Sequence, residues 1–238
     1  MQLPAIKKLA IFADFDGTLV DIAPTPDAIV VDLSLKTLLV NLHKKTNKAF
    51  AVVTGRSLQD IQQYIGTCQL TIAANHGAQW QFPGHQPQVI NFDCHELEKH
   101  KATLQKFSED HKLLVENKAF GMAVHLRQKP LLEQQLDQFI DSLKIGPNYT
   151  VIRGKAVREL KPKTANKGAA LERFMSQAPF SGKTPLFMGD DVTDEDGFRY
   201  INRAGGISIK VGSGETEAHH RLPNPADVRN VLSKLLAE

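Results

Sequence analysis

The chain has 238 residues, enough for one large or two small domains, and 42% of them are hydrophobic, which suits a packed globular core. Lys plus Arg number 29 against 26 for Asp plus Glu, a net charge of only +3; no basic run is interleaved with aromatics, so nothing points to nucleic acid. The two cysteines form no C-x-x-C pair, and there is neither a signal-peptide core nor an apolar stretch of the roughly 18 residues a membrane helix needs, so the expectation is a soluble, cytoplasmic protein without zinc or disulfide framework.

Leu9 to Ala13 is an apolar run typical of a parallel strand covered on both faces. It ends in Asp14-Phe15-Asp16, and Gly17 permits a sharp turn with close approach to a ligand. Ligands of open α/β sheets bind past the carboxyl ends of the strands, so two carboxylates stand where chemistry is expected. Carboxylates this close repel, which calls for a divalent cation or a shared proton. The alternative is a turn whose carboxylates satisfy backbone donors.

Pro24-Thr25-Pro26-Asp27 then marks a loop, and Ser34 precedes Leu35, Leu38, Leu39 and Leu42 at helical spacing. Ala49 to Val53 predicts a second strand, ending at Thr54-Gly55-Arg56-Ser57. Ser57 is a good N-cap with Asp60 at the N3 position; Leu58, Ile61 and Ile65 form the stripe of the next helix, and Gly66 is placed to stop it. Leu70 to Ala74 predicts a third strand before Asn75-His76-Gly77. This β-α-β-α-β order predicts an α/β fold with a doubly wound parallel sheet.

The rhythm then changes. Pro83-Gly84 lies between two short extended runs within Gln79 to Phe92 and suggests a hairpin. His95 to Lys112 reads as a polar amphipathic helix, and Phe120 to Arg127 alternates as a strand with one buried face, placing His125 and Arg127 together on the other. A helix carrying Leu132, Leu136, Phe139, Ile140 and Leu143 follows, then strands at Tyr149 to Ile152 and Ala156 to Leu160. Lys155 and Glu159 also share a face. These elements predict an α+β domain at 94–162, inserted between core segments 1–93 and 163–238.

Asn166-Lys167-Gly168 opens the next helix. A cation in a first turn opposes the helix dipole at about 0.3–1 kcal/mol, which an anionic ligand would offset; otherwise Lys167 is solvated. Thr184 to Met188 predicts a strand, after which five of the seven residues from Asp190 to Asp196 are acidic. Thr193 can cap the following helix, with Asp194, Glu195 and Asp196 at its positive end. That leaves Asp190 and Asp191 unexplained, and acids at a strand end suit Mg²⁺. Asp190 is the first choice as direct ligand, with Asp191 and Asp194 as second choices or outer-shell groups. Ile207 to Val211 and an amphipathic helix from Val228 to Leu236 complete the chain.

Asp14-Phe15-Asp16-Gly17-Thr18-Leu19 resembles the signature of haloacid-dehalogenase-type (HAD) phosphatases. The resemblance implies that Asp14 is the nucleophile forming an aspartyl-phosphate and that Asp16 is the general acid/base. ATPases of that superfamily carry Thr at the second Asp, so Asp16 favours a hydrolase or mutase. Thr54-Gly55-Arg56 is similar to the second phosphatase motif, implying that Thr54 and its neighbours bind phosphate; Lys167 would pair with nucleophile and phosphate. Asp14 and the Asp16 carbonyl would join Asp190, Asp191 or Asp194 on Mg²⁺. The insert's position implies the larger type of cap.

Val124-His125-Leu126-Arg127 and Gly154-Lys155-Ala156-Val157-Arg158-Glu159-Leu160-Lys161-Pro162 resemble segments of trehalose-6-phosphate phosphatases, as do Asn75-His76-Gly77 and the Gly189-to-Glu195 loop. Gln128-Lys129-Pro130 departs from that pattern. The resemblance implies Mg²⁺-dependent hydrolysis of trehalose 6-phosphate, a small-molecule sugar phosphate, and a functional link to a trehalose-phosphate synthase. His76, Gly77, His125, Arg127, Lys155 and Glu159, with Gly55 and Arg56, would then contact substrate. The competing readings are a phosphatase for sucrose or mannosylglycerate phosphates, and a non-catalytic sugar-phosphate-binding protein.

Overall fold

A computed structural model describes residues 3–154 and 156–237. In chain order its elements are β1 (Leu9–Ala13), α1 (Leu33–Lys45), β2 (Phe50–Val53), α2 (Leu58–Ile65), β3 (Thr71–Ala74), β4 (Gln79–Gln81), β5 (Gln88–Val89), α3 (Cys94–Asp110), β6 (Leu114–Lys118) and β7 (Gly121–His125). They continue as α4 (Glu133–Ser142), β8 (Tyr149–Gly154), β9 (Val157–Pro162), α5 (Lys167–Met175), β10 (Thr184–Gly189), α6 (Glu195–Arg203), β11 (Ile207–Val211), β12 (His220–Leu222) and α7 (Pro225–Ala237). The chain divides into two compact units, Met1–Val89 with Asn166–Glu238, and Ile90–Ala165.

The first unit is built on an eight-stranded sheet of order β12-β11-β10-β1-β2-β3-β4-β5. All pairs from β12 to β3 are parallel; β4 and β5 add an antiparallel hairpin at the other edge. β1 lies at the centre between β10 and β2, and all five of its residues are buried. Alternate side chains of β1 feed two cores, as a period of two requires. Ile11 and Ala13 pack with Leu35, Leu39, Ile61 and Leu232 from α1, α2 and α7. Ala10 and Phe12 pack with Leu171, Phe174, Phe198 and Ile201 from α5 and α6. This is the expected doubly wound architecture, and it brings the ends of β1, β2 and β10 side by side.

Helix ends differ in detail from the sequence reading. Asp32 caps α1: its carboxylate accepts from the Leu35 amide at 2.7 Å, and the helix starts at Leu33, one residue before Ser34. Ser57 caps α2 as expected. Gly66 has ordinary right-handed helical angles and continues into a short 3₁₀ turn; the left-handed stop is Gln69, with φ 52°.

The second unit is a four-stranded antiparallel sheet of order β6-β7-β9-β8 with α3 and α4 against it. Leu97, Leu104, Met122, Val124, Leu136, Ile140 and Leu160 form its core. The expected span 94–162 lies inside it, and the unit reaches further for physical reasons. Phe92 packs on Phe120 with ring centroids 5.5 Å apart, Asp93 caps α3, and the Tyr149 hydroxyl donates to the Asp93 carbonyl. At the other end the Lys161 ammonium donates to the Ala165 carbonyl. Alternation along β7 predicted one buried face, yet Gly121 and Ala123 are buried too. Arg158 is buried under α4, where its guanidinium donates to both oxygens of Asp137 at 2.6 and 2.7 Å and to Glu133 at 2.7 Å. Among the described residues no helix is long and apolar enough to cross a membrane.

Candidate active site

Asp14 follows β1 directly, and its amide donates to the Met188 carbonyl of β10, so the sheet ladder itself fixes the start of the loop. The side chain is buried, with Lys167 Nζ 2.8 Å from its Oδ1. Lys167 is the first residue of α5, which Asn166 caps by accepting from the Ala169 amide. Its ammonium is only 2% exposed and also donates to Asp194 at 2.6 Å. The cost of a cation at a helix start is therefore met by two carboxylates.

Asp190 follows β10 and completes the group: Asp14, Asp190 and Asp194 offer oxygens all within 4.8 Å of one another. Gly17 makes the approach possible. It has φ +77°, and a Cβ there would stand 2.2 Å from an Asp190 oxygen. Thr18 donates to Asp190 at 3.2 Å, and the buried Lys210 ammonium of β11 donates to the Asp190 carbonyl.

The acid loop is organised differently from the sequence expectation. Thr193 does not cap; Asp191 does, in a capping box with Asp194 around the turn Val192–Asp194. The Asp194 Oδ2 accepts from the amides of Asp190 and Asp191 at 3.0 and 2.9 Å, so this fully buried acid shapes the loop while pairing with Lys167. Asp191 itself is exposed and stands outside the three-acid group.

The electrostatics follow from three carboxylates against one ammonium. Burial pushes the Asp14 carboxyl well above the usual range; Lys167 opposes that shift, and Asp194 and Asp190 add to it. Burial, then the Asp194 charge, raises Asp190 to about 6. Burial alone would lower the Lys167 ammonium, but Asp14 and Asp194 outweigh it and raise it. A crowded, partly desolvated set of carboxylate oxygens with negative charge in excess is a donor set for a hard divalent cation.

Thr54 is buried after β2, the neighbour of β1, and its hydroxyl accepts from the Arg56 amide at 3.1 Å. The Arg56 guanidinium grips Asp16, donating from Nε and Nη2 to its two oxygens at 2.7 Å each. Gly55 lies under the His76 ring: a Cβ there would come within 2.5 Å of Cε1. Asn75 and His76 both take left-handed φ, and Gly77, at φ +92°, leaves room for Asn166 and Ala170 at the start of α5. Asp14, Asp190, Asp194 and Lys167 are thus brought together, with Asp16 held through Arg56.

The remaining expected residues belong to the other unit. Glu159 pairs with Lys118 at 2.9 Å, and His125 lies 3.3 Å from Glu116. Lys118 and Glu159 come from β6 and β9, with β7 between them. Gly121 and Ala123 lie opposite these two in register, and their minimal side chains leave the crossing open. Arg127 is exposed, and Lys155 lies outside the described residues. The sequence reading did not single out Thr18, Glu116, Lys118 or Lys210. Glu116 and Lys118 are two apart on one strand, a period-two signal that the polar β6 concealed.

A family model described as trehalose-phosphatase matches residues 12–226. A probable trehalose-phosphate phosphatase from Sinorhizobium fredii is 37% identical over 231 residues, covering 95% of this chain and 87% of that one. The trehalose-6-phosphate phosphatase of Escherichia coli is 36% identical over 235 residues, covering 96% and 86%. Among solved structures, a trehalose-6-phosphate phosphatase related protein aligns with TM-score 0.74 at 26% identity, covering 96% and 97%. A haloacid dehalogenase-like hydrolase from B. subtilis aligns with TM-score 0.69 at 15% identity, covering 95% and 99%; the fold is of the HAD type.

Proposed function

The chain belongs to the trehalose-phosphatase family, and from that premise we propose that it hydrolyses trehalose 6-phosphate to trehalose and phosphate through an aspartyl-phosphate on Asp14. The observation that carries the chemistry is the buried Asp14 carboxylate at the end of β1, 2.8 Å from Lys167 and grouped with Asp190 and Asp194.

In the first half-reaction an Asp14 oxygen attacks phosphorus and the bond from phosphorus to the sugar oxygen breaks. Asp16 gives its proton to that oxygen, so that an alcohol leaves rather than an alkoxide. In the second, water attacks phosphorus, its proton passes to the Asp16 carboxylate, and the Asp14–phosphorus bond breaks. A carboxylate nucleophile divides one difficult displacement into two easier ones. Lys167 holds the nucleophile in place and balances the charge brought by the phosphoryl group. Thr54 and the backbone donors after β2 bind phosphoryl oxygens. Asp14, Asp190 and Asp194, with the Asp16 carbonyl, would hold Mg²⁺, whose contribution is to neutralise phosphoryl charge and orient the phosphate. Substrate choice is assigned to polar groups of the second unit, Glu159 with its partner Lys118 foremost.

Phosphate release measured over a panel of sugar phosphates tests the reading. Trehalose 6-phosphate is expected to be turned over well above the sucrose and mannosylglycerate phosphates. A preference for either of those reassigns the substrate. Binding of trehalose 6-phosphate without any phosphate release makes the protein a sugar-phosphate binder instead.

A further inference from the structure

Arg56 stands at the place where phosphate is expected, yet its charge is already engaged. Nε and Nη2 donate to the two Asp16 oxygens at 2.7 Å, and Nη1 donates to Asp60 at 2.6 Å. Asp60 is itself fixed in the first turn of α2, where its amide donates to the capping Ser57 hydroxyl at 3.2 Å. The guanidinium carbon lies 5.2 Å from the centre of the Tyr64 ring and 6.0 Å from that of Phe15, and the side chain is 8% exposed. Two carboxylates on one guanidinium repel a phosphate dianion that would seek the same cation. What the arrangement does well is hold a carboxylate plane: a planar fork on both oxygens fixes the direction of the remaining lone pairs, which a lysine point charge does not.

We propose that Arg56 is a positioning residue for Asp16, setting the orientation in which Asp16 exchanges its proton with the leaving sugar oxygen and then with water. The inference rests on the phosphatase reading above. Arg56 gives up no proton in either half-reaction: the proton moves from Asp16 to the departing oxygen, then from water to Asp16, while the guanidinium keeps its charge. This differs from the phosphate-contacting role that the Thr54-Gly55-Arg56 motif suggested.

The experiment compares Arg56→Ala and Arg56→Lys on two substrates. One is trehalose 6-phosphate, whose leaving alkoxide needs a proton; the other is p-nitrophenyl phosphate, whose phenolate leaves without one. For each variant kcat, KM and the pre-steady-state release of the leaving group are measured. Expected are losses in kcat of about 10²-fold on trehalose 6-phosphate for both variants, the scale of general acid catalysis, with KM little changed and a much smaller loss in the p-nitrophenolate burst. In single turnovers of an Asp16→Asn background, Arg56→Ala should cost no more than about twofold further, because the two residues act as one unit. Should Arg56→Ala not fold, Arg56→Lys carries the same comparison. Equal losses in the pre-steady-state release of the leaving group on both substrates, additive losses with Asp16→Asn, rescue by Lys, or an effect confined to KM each overturn the assignment while leaving an active phosphatase. A wild type that releases no phosphate overturns the phosphatase reading and this assignment together.

Discussion

Lys167 Nζ lies 2.8 Å from the Asp14 Oδ1, with the two side chains 2% and 7% exposed. A buried ion pair of this kind is weak evidence for stability but makes removal of one partner costly. Lys167→Met leaves three acids grouped without their ammonium, and a loss of about 3–5 kcal/mol is expected in EDTA. A divalent cation bound by the native state offsets that charge, so Mg²⁺ should raise the Tm of the variant more than that of the wild type. Thermal unfolding with and without Mg²⁺ checks this; equal responses would mean that the cation does not share the cluster with Lys167.

Asp14→Asn keeps the shape of the side chain but cannot form an acyl phosphate. Turnover should vanish while circular dichroism and substrate binding persist. Sustained phosphate release, with mass spectrometry excluding deamidation back to Asp, would remove Asp14 as nucleophile.

Chelation should abolish activity and Mg²⁺ restore it. The placement of the acids ranks their effects. Asp190→Ala removes a member of the three-acid group and should raise the Mg²⁺ concentration at half-maximal activity strongly. Asp191→Ala should shift it little, costing instead about 1 kcal/mol as a lost N-cap. Mg²⁺ titrations of both variants separate the roles, and a larger shift for Asp191→Ala would reverse the assignment.

Glu159 and Lys118 pair at 2.9 Å with their side chains 14% and 17% exposed. Neither belongs to the proposed phosphoryl chemistry. Glu159→Ala should therefore lower kcat/KM for trehalose 6-phosphate by about 10²-fold, as expected for losing one or two charge-assisted hydrogen bonds, and barely change that for p-nitrophenyl phosphate. Parallel losses on both substrates would assign the pair to the fold of its unit rather than to specificity.

Arg158 offers a pH test away from the chemistry. Its guanidinium, bonded to Asp137, holds that carboxyl below its usual range. An acid whose folded pKa is depressed contributes stability above its unfolded pKa and loses it as pH falls through the folded value. Arg158→Leu should cost about 1–3 kcal/mol near neutral pH, since Asp137 and Glu133 are left partly solvated. The gap in Tm from wild type should narrow between about pH 5 and 3 as the acid protonates in both proteins. A constant gap would show that Arg158 acts by packing alone.

Much was legible in the sequence because it depended on neighbours a few residues apart. The continuous apolar runs of β1 and β2, the stripe of α2 and the Ser57 cap need only local sequence. The Asp14-x-Asp16 motif, Thr54, Lys167 and Asp190 could be named because each follows or opens such an element, and a parallel sheet collects strand ends along one edge. Composition and pattern settled the α/β class in the same way.

Tertiary structure decided which groups share a partner, since an ion pair requires register and distance that spacing does not contain. Arg56 meets Asp16 from 40 residues away, Lys167 meets Asp194 from 27, and Lys118 meets Glu159 from 41. Local spacing set Asp194 at a helix start and left Asp191 for the metal; packing instead turned Asp191 outward as a cap and buried Asp194 against Lys167. Arg56 read as a phosphate contact because its motif sits at the right strand end. The fold places Asp16 and Asp60 on its guanidinium, the first from 40 residues away, so its partners are set by tertiary contact and not by the motif.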